Sequence, residues 1–123
     1  MLAWLTLLCI DSWHWFQAGE TEEDILKLTN NDVVTADLCD APAGIRREQM
    51  PDSPRKLPAV RHPPADCTTG VIDVAAFLRG LVKIGYDGPV GTEPFDKSLS
   101  EMSAEEAMTT ATAAMKKAFA LIG

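Results

Sequence analysis

A chain of 123 residues has room for one domain, and 46% hydrophobic against 24% charged residues is the composition of a core-forming globular chain, not a disordered one. A formal charge of −7 excludes the basic stripe that tracks nucleic-acid phosphates and opposes attraction to anionic lipid, so neither nucleic acid nor membrane is expected as a partner. Cys9, Cys39 and Cys67 form no CxxC pair and leave one over after any bridge, which argues against a zinc finger or a disulfide framework and for a reducing cytoplasm.

Met1–Ile10 is apolar but lacks a basic residue ahead of the run, is too short to span a bilayer and ends directly on Asp11. Leu5–Ile10 therefore reads as a strand covered on both faces, with a cleaved leader as the alternative. Thr21 then caps a helix whose first turn is acidic and whose apolar residues are Ile25, Leu26 and Leu28, ending at Asn30-Asn31. Asp32–Cys39 is a second strand, with Asp37 and Asp40 near its far end. Asp40–Thr69 has no periodicity and is rich in proline and charge, the length of loop that is usually functional or disordered.

Asp73 is a good N-cap for a helix over Val74–Ile84, in which Val74, Phe77, Leu78, Leu81 and Val82 fall at helical spacing. Gly85 closes it and Tyr86-Asp87-Gly88-Pro89 reverses the chain. Val90-Gly91-Thr92 makes a brief strand, because Pro94 lacks the donor a ladder needs and holds Glu93 extended. Finally Ser103-Ala104-Glu105-Glu106 is a capping box opening a helix to Leu121, with Met108, Ala111, Met115, Ala118 and Phe119 as its apolar stripe.

Three motifs in register, Asp11-Ser12-Trp13-His14-Trp15, Asp40-Ala41-Pro42-Ala43-Gly44-Ile45 and Val71–Phe95 with its Gly-Tyr-Asp-Gly-Pro-Val turn and Glu-Pro-Phe end, resemble the last βα units of the sugar phosphate isomerase/epimerase family. These are xylose isomerase-like TIM barrels, related in fold to the family 2 apurinic endonucleases. The resemblance implies an α/β fold of roughly three βα units, the C-terminal part of a (β/α)8 barrel with parallel strands and outer helices. A complete barrel needs about twice this length, so the chain is expected to be inactive alone and its open strand edges to self-associate. Residues 59–69, within Ala59–Thr69, have no counterpart in the family pattern and read as an insert.

Each strand ends on a carboxylate: Asp11, then Asp37 or Asp40, then Glu93. Adjacent strand ends of a parallel barrel converge on one face, where such groups can share a divalent cation. The family holds its metal with Glu, Asp, His and Glu on four successive strands. Asp11 matches the Asp and Glu93 the last Glu, while Asp37 stands where the family has His. The first Glu has no counterpart. The resulting all-oxygen set, Asp11, Asp37 and Glu93, favours Mg²⁺ or Mn²⁺. A capping role for Asp37 or Asp40 is the competing reading, since Asp before Ala-Pro opens turns.

The resemblance also implies a substrate-binding role for His14, set against packing between Trp13 and Trp15. Arg46 and Arg55 are candidates for clamping a phosphate or sugar oxygen, or else are solvated loop charges. The implied chemistry is isomerisation or epimerisation of a sugar or sugar phosphate through an enediolate, with Glu93 as one of the two proton-moving carboxylates. The alternatives are a metal-dependent phosphodiesterase on the same barrel, which the acidic balance opposes, and a non-catalytic fragment.

Overall fold

Asp11 decides where the first strand stops. Its backbone is still extended, but its side chain turns back to accept from the N–H groups of Trp13 and His14, so strand β1 (Leu8–Asp11) passes directly into helix α1 (Ser12–Ala18). The sequence pattern did not announce that helix. The computed structural model describes residues 7–41, 63, 71–94 and 96–123. Within them β1 pairs in parallel with β2 (Val33–Asp37) and β2 with β3 (Val90–Gly91), in the order β1-β2-β3. Parallel pairing of consecutive strands requires crossovers, and α1 with α2 (Glu22–Ile25) and then α3 (Val74–Lys83) lie in them.

Side chains alternate across a strand. Ile10 and Ala36 therefore face the helices, where they pack with Trp13, Trp15, Ile25, Phe77, Leu78 and Leu81 in one core. Cys9, Asp11, Thr35 and Asp37 fall on the other face, with Cys9 beside Thr35 and Asp11 beside Asp37.

The helix expected from Thr21 to Leu28 is a single turn. The Thr21–Asp24 capping box closes its start, and the N–H groups of Lys27 and Leu28 then bond three residues back, to Asp24 and Ile25, which tightens and ends it. A second box, Thr29–Asp32, turns Asn30–Asp32 into a 3₁₀ turn that delivers the chain to β2. Where α2 crosses α3, a methyl group on Gly80 would lie 2.9 Å from Ile25 Cγ2, and Ile25 is buried. Gly80→Ala is expected to destabilise, because about 1–3 kcal/mol of overpacking exceeds the ~1 kcal/mol that alanine gains over glycine in a helix. Urea denaturation checks it.

Helix α3 buries Val74, Phe77, Leu78 and Leu81 as their spacing predicts, but Val82 lies at the edge of that stripe and is 62% exposed. Gly85 ends the segment at φ 72°, the left-handed region. Tyr86 then donates its hydroxyl to Pro89 O at 2.7 Å, bracing the turn into β3. A one-turn helix α4 (Lys97–Ser100), capped by Asp96, follows, and α5 (Ala104–Ala120) opens on the Ser103–Glu106 box. Its stripe is only half used. Ala118 is buried and Met115 packs on the core, whereas Met108 is 71% exposed and Phe119 is exposed too.

These caps make the fold acid-sensitive. The Lys27 ammonium and the Thr21 N–H lower Asp24 from 3.8 to about 2, and the Ser103 hydroxyl and N–H lower Glu106. Both are depressed in the folded chain, so their contribution is present above the unfolded carboxylate values and is lost as pH falls through the folded ones. Helicity followed by circular dichroism should hold at neutral pH and fall between about pH 4 and 2.

Candidate metal and substrate site

The strand ends gather the acidic residues by register. Asp11 and Asp37 occupy the same rung of adjacent parallel strands and the same face, and Gly91 takes the next place on that rung. A Cβ on Gly91 would lie 2.9 Å from Asp37 Oδ1, so glycine there leaves room for the carboxylate. Glu93, two residues on, is exposed past the end of β3.

Cys9 joins them. Its thiol donates to Asp37 Oδ2 at 3.7 Å, and burial, then Asp37, with smaller effects of Asp11 and Glu93, push that thiol above its ordinary value. A second thiol, Cys39, lies 3.8 Å from Asp11 Oδ1. Cys9 was legible in principle, since it stands two residues before Asp11 on the same strand face.

Asp11 Oδ1 holds Trp13 N at 2.7 Å and His14 N at 3.2 Å, so the residue that ends the strand also orients the helix that carries His14. His14 is exposed while Trp13 and Trp15 are buried, and its ring meets Trp13 edge-on at 5.2 Å. Trp13 therefore abuts the imidazole without enclosing it, while Trp15 packs on Phe77.

Leu38–Ala41, the exit from β2, is pinned by side chains, two of which sequence reasoning missed. Ser12 Oγ donates to Cys39 O at 2.7 Å and accepts from Cys39 N at 2.9 Å, replacing a ladder partner, and Thr92 Oγ1 donates to Leu38 O at 2.6 Å. This is why β2 stops at Asp37 and does not run to Cys39. Asp40 is buried and caps backbone, as the turn-opening reading has it, and so is not a ligand candidate. Arg46, Arg55, His62 and the insert at 59–69 lie outside the described residues.

The donor set suits a divalent ion in its chemistry: two carboxylates on one rung, a glycine cradle beside them and a third carboxylate at the next strand end. Among the described residues, no three ligating side chains surround a common point. Among the same residues, no helix is long and apolar enough to cross a membrane.

Parallel strands in sequence order, helices on one face and carboxylates at the C-terminal strand ends define part of an α/β barrel. The profile of the xylose isomerase-like TIM barrel family matches residues 6–118, and the chain belongs to that family. It is similar to a xylose isomerase domain protein from Alicyclobacillus acidocaldarius subsp. acidocaldarius, at 30% identity and a TM-score of 0.74 over 94% of this chain and 38% of that one. It resembles in fold the IolI protein crystallised with a binding zinc atom (24% identity, TM-score 0.74, 94% and 37% of the two chains). A xylose isomerase domain protein from Salmonella typhimurium LT2 shares the fold at 15% identity, with a TM-score of 0.73 over 92% and 39%. The chain thus spans less than two fifths of the length of these structures. No protein of curated function matches it significantly.

Proposed function

We propose that the chain supplies the C-terminal catalytic units of a metal-dependent sugar or sugar phosphate isomerase/epimerase acting in the cytoplasm. The observation that carries this reading is the placement of Asp11 and Asp37 side by side at the strand ends, with Glu93 just past the end of the neighbouring β3. Family membership and the zinc described for IolI support it. Asp11, Asp37 and Glu93 would hold the ion, with Mg²⁺ or Mn²⁺ suiting the oxygens, although the Cys9 sulfur beside Asp37 adds a softer donor to the neighbourhood. When bound, the ion polarises the substrate carbonyl and adjacent hydroxyl.

Glu93 takes the proton from the carbon next to that carbonyl, and the C–H electron pair forms the new C=C bond as the carbonyl pair moves onto oxygen, giving an enediolate; Glu93 returns the proton to the neighbouring carbon in an isomerisation, whereas an epimerisation needs a second proton-moving carboxylate on the opposite face. His14, exposed on α1 beside Asp11, donates to a substrate hydroxyl. Arg46 and Arg55 are the phosphate-binding candidates. The acidic balance disfavours the phosphodiesterase reading, whose substrate is a polyanion.

The test separates ligand from base. Asp11 orients α1 and would touch the ion but not the reacting carbon, so Asp11→Asn is expected to weaken metal affinity while excess Mn²⁺ recovers part of the proton exchange. A variant that binds Mn²⁺ as tightly as the wild type, with the helices intact by circular dichroism, removes Asp11 from the ligand set.

A further inference from the structure

Asp40 is fully buried and has no part in the chemistry above. Its Oδ1 accepts three backbone N–H groups, from Ala41 at 2.7 Å, Val71 at 3.0 Å and Ile72 at 3.0 Å. Its Oδ2 is buried with no hydrogen-bond partner among the described residues. Burying a carboxylate with one oxygen unmatched is costly. What offsets it is the set of donors on the other oxygen: Val71 and Ile72 lie outside any helix or strand, Ala41 and Ile72 are buried from water, and consecutive N–H groups suit an anionic oxygen.

The geometry points to Asp40 as a positioning residue, a latch that joins Ala41 to Val71–Ile72 and so ties together the two ends of the 42–70 excursion. One end continues from Asp37 through the segment that Ser12 and Thr92 also hold; the other leads through Asp73, the N-cap of α3. A single carboxylate oxygen thereby fixes the exit of β2 against the entry of α3. It acts on Asp37 through the backbone and touches no substrate. The inference rests on hydrogen bonds alone and is independent of the metal and of the isomerase reading.

Amide hydrogen exchange of the full chain, followed residue by residue by NMR without metal or substrate, tests it. In the wild-type chain the Ala41, Val71 and Ile72 amides are expected to be protected like that of Phe77 within α3, although none belongs to a helix or strand. Asp40→Asn keeps an oxygen in the same place, so it should keep all three slow. Asp40→Ala should speed all three by at least about tenfold relative to the Ala36 amide, which bonds Pro89 O. Unprotected amides at these positions in the wild type would overturn the latch even if the Ala variant fails to fold. So would a folded Asp40→Ala chain in which they stay slow, or an Asp40→Asn chain in which they match the Ala variant.

Discussion

Glu93→Gln is expected to abolish carbon-proton exchange while weakening metal binding far less. Glutamine keeps the size of the side chain and one oxygen donor but has no basic carboxylate, and general-base catalysis of this kind contributes a factor of about 10²–10⁴. The exposed position of Glu93 just beyond β3, two residues after the glycine that abuts Asp37, gives it reach over the strand ends without burying it among them. Because the related structures are much longer, the assay belongs in a chimaera that joins the N-terminal barrel units of the Alicyclobacillus relative to this chain. Solvent deuterium uptake into a ketose reports carbon-proton removal even when turnover is slow. Loss of uptake in Glu93→Gln at every Mn²⁺ concentration, against partial recovery in Asp11→Asn, is the expected pattern. Normal uptake by Glu93→Gln would leave Glu93 as a ligand at most.

Phe77→Ala is expected to cause the largest loss of stability. The ring is fully buried, meets Trp15 edge-on at 5.5 Å and stands in the core where the helix face of the sheet is covered. Removing it forfeits the transfer energy of the ring and leaves a cavity, together about 3–5 kcal/mol. Against a domain stability of about 5–15 kcal/mol this is roughly a fifth or more of the total. The exposed Val82 on the same helix offers the control. Val82→Ala should stay within about 0.5 kcal/mol of wild type, so equal losses in the two variants, measured by denaturant midpoint, would mean that α3 does not pack by this face.

The local signals that survived into the structure are those in which a short stretch determines its own conformation. The Asp73 cap, the Gly85 stop and the Ser103–Glu106 box satisfy or release backbone groups within a few residues, and each is found as read. Helix α1 was hidden because Ser12–Ala18 carries three aromatic rings and a histidine, with no apolar stripe distinct from the run before it; Asp11 as cap and Gly19 as a left-handed stop are its local marks. The limits of β2 were not local either. They depend on Ser12 and Thr92, one from the preceding helix and one from beyond the following strand, claiming the backbone of Leu38 and Cys39. Met108 shows the opposite failure, a periodic position with nothing among the described residues to cover it.

In the site, the alternation of strand faces was enough to bring Asp11 and Asp37 to one rung, because parallel register preserves chain order. The thiol beside Asp37 needed only the same rule applied to Cys9. Asp40 could not be placed without coordinates, since its partners are 31 and 32 residues away across a stretch with no periodic pattern.

The claim on which the proposal turns is that Asp11 and Asp37 share one divalent ion. Anomalous diffraction from crystals of the chimaera soaked in Mn²⁺ tests it directly, because the scattering locates the metal without assuming its ligands. The account predicts a single strong peak at the C-terminal strand ends, within about 2.0–2.6 Å of an oxygen of Asp11 and of Asp37, with Glu93 drawn to the same ion. A peak held by other residues, or none at saturating Mn²⁺, would contradict it.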